Sequence, residues 1–243
     1  MSRPKRWKVT VGVLWCAAMV AVAAVQLREA NARSSEATVL LAADSYLRTL
    51  EAVRAVYTSE VVSRLPDSVR VTYDYDRHEY AVPLPATFTM ALAENLGASI
   101  EGFEVRLYSD HPFPFRGPAQ LDDFERRALV SLRAAPDSAV SAVEGTGDTR
   151  VLRYARGDTM RAECVDCHNS HPESPKTDWE VGDLRGVLEV SVPLSSFDAR
   201  AREARRPYTA LLVLALLGLL AAAVMLLQYI PNLPGRDRPR GRE

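Results

Sequence analysis

Two long apolar runs bracket this chain, residues 9–27 and 208–235, and neither contains a charge. Between them the periodicity changes several times. Residues 36–62 hold neither Gly nor Pro, and Leu40, Ala43, Leu47, Leu50, Tyr57 and Val61 recur at three- and four-residue spacing, interrupted by Arg54. That spacing predicts a long amphipathic helix over about 30–62 that continues from the first apolar run. The heptads are few and imperfect, so the face suits packing on its own domain. A homodimer through the same N-terminal helix is the expected assembly.

After Pro66 the period shortens. VRVTYDY (69–75) alternates as a half-buried strand does. Pro83 and Pro85 mark a turn before a helix over 87–96, for which Thr87 is the expected N-cap. GFEVRLYS (102–109) reads as a strand, and HPFPFRGP (111–118), with three prolines, as irregular. A helix is expected over 121–133, with acids in its first turn. Residues 137–145 and 149–156 read as a hairpin around Gly145 and Gly147, 184–194 as the clearest strand, and 195–206 as a short helix leading into the second apolar run. Sequential antiparallel strands with helices on one side and at both ends predict an α+β class.

About 20 apolar residues cross a bilayer. The first eight residues carry four bases and no acid, and the last eight carry four arginines against Asp237 and Glu243. By the positive-inside rule both termini are cytoplasmic. The expected layout is a basic N-terminus (1–8), a membrane helix (9–27), an exported domain (28–207), a second membrane helix (208–230) and a short basic tail (231–243). That places the main domain in the periplasm of a bacterial inner membrane. A signal peptide cleaved near Ala30-Asn31-Ala32 is the alternative, but the long apolar run and the flanking Arg28 and Glu29 favour an uncleaved anchor. The exported region holds 22 bases and 29 acids. No basic stripe suggests a nucleic-acid partner.

The concentrated chemistry lies in AECVDCHNSHPESP (162–175), with two of the three cysteines and two of the four histidines. Cys164, Cys167 and His168 read C-x-x-C-H. A tetrahedral zinc site would have to use adjacent residues 167 and 168, and no second C-x-x-C exists. A redox dithiol calls for a strand–helix context that lowers a thiol pKa, and neither it nor a plain disulfide explains the following His. Haem attachment accounts for all three residues: two thiols for two vinyl groups and His168 as proximal iron ligand. One such motif means one covalent haem.

The opposite axial ligand has several candidates. His171 is too near His168 in sequence. His78 is preferred, with His111, Met90, Met160 and Tyr57 behind it and five-coordinate iron also open. Arg116, Arg153 and Lys176 are candidate cations for the propionates. Cys16 falls within the first apolar run. The acids Asp122, Asp123 and Glu125 suit a helix N-terminus, and no nucleophile–base pair or phosphate loop points to an enzyme.

PLPATF (83–88), PFPFRGPAQLDDFERRAL (112–129), CVDCHNSHPESPKTDW (164–179) and GDLRGVLEVSVPL (182–194) together resemble the Tll-type c-haem domain family. The resemblance spans much of 65–194 and implies a PAS-like fold with one c-type haem, attached at Cys164 and Cys167 with His168 proximal. Such domains are often the exported sensors of cyclases, kinases or chemoreceptors. Some members use a cysteine of the N-terminal helix as distal ligand. This chain has no cysteine between 17 and 163 and offers Val56-Tyr57 there. Only the short basic tail follows the second run, so output through a separate signalling protein is expected.

The resulting expectation is a membrane-anchored haem sensor of redox state or of a small gas. A membrane-anchored monohaem electron-transfer cytochrome with a redox partner is the alternative.

Overall fold

A computed structural model describes residues 3–118 and 120–229. The expected basic tail lies outside them, as does the side chain of Cys16. The chain falls into two compact units, Met1–Ser34 with Asp198–Glu243, and Ser35–Phe197.

The first unit is helical where described. It holds the N-terminal part of α1 (Arg3–Val56), including all of 9–27, and most of α5 (Leu194–Tyr229). The stretch Arg206–Met225, with mean hydropathy 2.4, is long and apolar enough to cross a membrane by length and composition. The short helix expected at 195–206 is not separate: α5 runs on through Pro207.

The second unit is an α+β domain. Its main sheet joins β3 (Glu104–Tyr108), β4 (Ala139–Glu144), β5 (Val151–Thr159) and β6 (Leu184–Pro193) in the order β3–β6–β5–β4, every pair antiparallel. The expected hairpin is present, and its turn uses Gly145 at φ 79, where a Cβ would also meet the Thr149 carbonyl.

Both faces of this sheet are covered, not one, because side chains alternate along each strand. Leu152, Tyr154, Leu188, Val190 and Val192 pack with Val39, Ala43, Leu47 and Leu50 of α1 and Ala93 of α2 (Pro85–Gly97). Ala155, Val187 and Tyr108 pack with Phe124, Ala128, Leu129 and Leu132 of α3 (Asp123–Ala134) on the other side. Leu47 is fully buried, and side chains of this kind each contribute about 1.5–3 kcal/mol. The stripe from Val39 to Leu50 is thus covered by the chain's own sheet.

Along the described part of α1 the buried positions are 39, 43, 47, 50 and 54, so Arg54 continues the stripe that it was expected to interrupt. The α-helix ends at Val56 and continues through a π turn (Tyr57–Val61) and a 3-10 turn (Val62–Arg64), which shifts the buried face and leaves Val61 exposed.

VRVTYDY joins the main sheet at no point. Only Arg70–Thr72 (β1) is extended, paired in parallel with Ala81–Pro83 (β2). So short a parallel connection needs a sharp reversal, and Tyr80 takes it at φ 55. Helix α2 begins earlier than Thr87: Pro85 occupies its first turn, as proline prefers, and Leu84 is the N-cap. Asp122 caps α3 in a reciprocal box with Glu125.

Candidate functional site

The motif stretch folds as a helix, α4 (Ala162–Ser170), between β5 and β6. Cys164, Cys167 and His168 sit at i, i+3 and i+4, which places all three on one helix face. Both thiols are free. β5 and β6 are antiparallel, so α4 is not the crossover of a βαβ unit. Partial desolvation and the Cys164 thiol push the Cys167 thiol above its ordinary value. A redox dithiol needs the opposite shift.

His168 is half-buried. Desolvation, then the Arg185 guanidinium, pulls it down to about 4, so the ring is neutral at pH 7. The Arg185 Nη1 lies 3.4 Å from His168 Nε2. A guanidinium only donates, so Nε2 presents its lone pair and Nδ1 carries the proton. The ring is walled by Phe113 at 5.3 Å and Trp179 at 6.4 Å between ring centres.

The loop after α4 folds back on it. Asn169 donates to the Trp179 carbonyl at 3.0 Å and accepts from the Trp179 N–H at 2.8 Å. This clamp holds the indole at the site. The Trp179 Nε1–H is buried without a protein partner, and so is the Arg185 Nε–H.

Arg185 is aimed by the sheet. Asp158 pairs with Gly186 and Thr159 with Leu184, leaving Arg185 as the extra residue of a β-bulge, a device that redirects a side chain. Its Nη2 donates to Asp158, whose carboxylate also accepts from Arg54 Nη1 at 3.1 Å and from Arg54 Nη2. Burial opposes the Asp158 charge, but Arg185 and Arg54 outweigh it and hold the carboxyl below its usual range. A continuous polar chain therefore runs His168–Arg185–Asp158–Arg54, from α4 through β6 and β5 to α1.

The proline-rich loop supplies a second wall. Phe113 stacks on Phe115 at 5.3 Å, and Phe115 on Tyr73 at 4.3 Å. Tyr73, Phe115 and Arg116, with Thr87, Met90, Ala91 and Glu94, line an open groove of about 460 Å³. Desolvation, then the Arg185 charge, lowers the Arg116 pKa.

The other sequence candidates separate. His78 is exposed on the β1–β2 loop, with Asp74 Oδ2 at 3.1 Å and Arg70 Nη1 at 3.4 Å from its ring nitrogens. His111 meets the Trp179 edge at 5.7 Å, and His171 meets Phe113 at 5.2 Å. Met160 is core, and Tyr57 stacks on Phe88 and donates to the Pro83 carbonyl at 2.8 Å. Lys176 lies 4.5 Å over the Trp179 ring, with its charge engaged by Asp178. Arg153 is not available as a propionate partner. It is buried on the α3 side and paired with Glu189 and Asp122, each at 2.7 Å.

A family model described as Tll0287-like matches residues 32–193. The chain belongs to the Tll0287-like family. Among solved structures, the cyanobacterial heme-protein Tll0287 is similar at 19% identity with a TM-score of 0.43, covering 61% of this chain and 91% of that one. No curated protein matches. The matched span covers α4 and the loop elements around it, so the Tll0287-like region contains the whole candidate site.

Proposed function

We propose that this chain carries one covalent haem, bound through Cys164 and Cys167 with His168 as axial ligand, in a PAS-like domain that is exported and membrane-anchored, and that it acts as a haem-based redox or gas sensor. The observation that carries the reading is the single face of α4 with two free thiols and an imidazole whose Nε2 faces Arg185. Membership in a family bearing the name of a cyanobacterial heme-protein supports it.

The residues fit the group. Each thiol S–H adds across one vinyl C=C, forming one C–S and one C–H bond with no net redox change. Phe113, Phe115 and Trp179 supply apolar wall, and the unpartnered donors Trp179 Nε1 and Arg185 Nε suit an acidic, partly buried ligand. Bound haem supplies an iron centre that changes oxidation state or takes a small ligand. Asn169 fixes the wall, and the Arg185–Asp158–Arg54 chain ties the site to α1, the helix that runs back to Arg3. That tie favours sensing. The reading assigns the chain no catalysis and leaves output to a partner protein across the inner membrane.

Electron transfer is the second reading, favoured by one observation. Tyr73, 47% exposed, leads through Phe115 and Phe113 to His168 in ring-to-ring steps of 4.3, 5.3 and 5.3 Å.

The test is expression in a bacterial host with c-type maturation machinery, followed by a haem stain on a denaturing gel. The wild type stains, and C164A/C167A does not. A folded, exported, colourless wild type overturns the attachment. Reduced spectra with CO then divide the readings: a CO-binding site favours sensing, and an inert site with fast electron exchange favours transfer.

A further inference from the structure

We infer that Arg185 guards the sixth coordination position of the iron and makes it a binding site for small anions such as fluoride or azide. The inference rests on the haem reading above. Its starting point is the side from which Arg185 approaches His168: its Nη1, which can only donate, stands 3.4 Å from Nε2. A lone pair serves one partner. When a metal takes Nε2, the guanidinium loses that acceptor, and its donors would be left for a ligand held at the metal.

Arg185 cannot easily leave. Its Nη2 is fixed by Asp158, and Asp158 is fixed in turn by Arg54 of α1. The bulge that aims the side chain is part of the β5–β6 ladder. The Asp158 anchor would therefore keep the cation near His168 when the site is filled.

Charge then selects the ligand. One carboxylate, Asp158, serves two guanidiniums, so the outer edge of Arg185 is not neutralised. Its Nε–H is buried and has no protein partner. Arg116, beside Phe115 in the aromatic wall that continues to Phe113 and His168, is a second cation on this loop. A half-buried cation edge with unused donors is satisfied by an anion. No cysteine lies between 17 and 163 to take the position as a thiolate. His78 has the partners Asp74 and Arg70, and Met160 is packed in the core.

The test uses the full-length haem-bearing protein in detergent, with fluoride and azide as titrants of the ferric form and absorption as the readout. The wild type is expected to be high-spin without added ligand and to bind both anions. R185Q should weaken both by about 10- to 100-fold, the scale of a charge-assisted hydrogen bond. R185K, which keeps the charge, should fall between. Affinity of the ferrous form for CO, a neutral ligand, should change little, which separates anion recognition from general damage to the site.

A haem-bearing wild type that is low-spin and six-coordinate without added anion overturns this inference alone. So does an unchanged anion affinity in both R185Q and R185K, which would place Arg185 on the propionates. A protein without covalent haem overturns the attachment reading and this one with it.

Discussion

Arg54 of α1 and Asp158 of β5, 104 residues apart in sequence, form an ion pair with both side chains about 95% buried. The same carboxylate holds Arg185 beside His168. Removing one partner of a buried pair strands the other charge, typically at a cost of about 3–5 kcal/mol. Asp158→Asn strands two guanidiniums, whereas Arg54→Met leaves Asp158 its bond to Arg185. Chemical denaturation of the full chain in detergent should therefore show D158N as the more destabilised of the two.

A second buried network sits on the opposite face of the sheet. Arg153 bonds Glu189 at 2.7 Å and Asp122 at 2.7 Å, lies 4.0 Å from Glu125, and stacks 4.4 Å over the Phe124 ring. Glu125 and Glu189 are 0% and 1% exposed. Arg153→Met should cost about 3–5 kcal/mol, because it removes the cation shared by these acids. Adding Glu189→Gln should recover part of the loss. A double-mutant cycle by denaturant titration measures the coupling, and strictly additive losses would contradict a shared network.

Gly186 follows the bulge at a close approach of β3. A Cβ there would stand 2.7 Å from the Tyr108 carbonyl oxygen, which is backbone and cannot swing away. Gly186→Ala should destabilise the domain by about 1–3 kcal/mol, the range for overpacking. It should also disturb Arg185, its neighbour. A thermal melt gives the first effect. In the haem-bearing protein, a shift in the absorption spectrum gives the second.

Much of the domain was legible in the residue pattern. The hairpin around Gly145, strand β6 and helix α3 follow from periodicity, turn residues and capping acids. C-x-x-C-H singled out the α4 face on which the candidate site is built. What stayed hidden depended on distant partners. Arg54 looked like a break in an apolar stripe because its partner, Asp158, lies on β5. Arg185 carried no local signal, since its direction comes from a register shift that exists only when β5 pairs with β6. Arg153 read as a candidate cation for the propionates for the same reason: its acids, Glu189 and Asp122, lie on β6 and at the start of α3. VRVTYDY alternates like a sheet strand, yet most of it is turn, because its only partner is the short β2.

Asp44 on α1 makes the acid side of the stability curve predictable. Burial raises its pKa, but the hydrogen bond from Tyr154 at 2.6 Å and the Arg48 and Arg156 guanidiniums outweigh it and hold the carboxyl below the ordinary 3.8. With the folded value depressed, the unfolded chain binds the proton more readily. The contribution of Asp44 to stability is therefore fully present above about pH 4 and is lost as the pH falls through the folded value. Asp44→Asn removes that proton-linked difference. Melting temperatures of the full chain between pH 2 and 6 should drop less steeply on the acid side for D44N than for the wild type, with the two curves converging at the lowest pH. Parallel curves across that window would show that Asp44 titrates alike in both states and that the Tyr154 and Arg156 contacts do not hold it ionised.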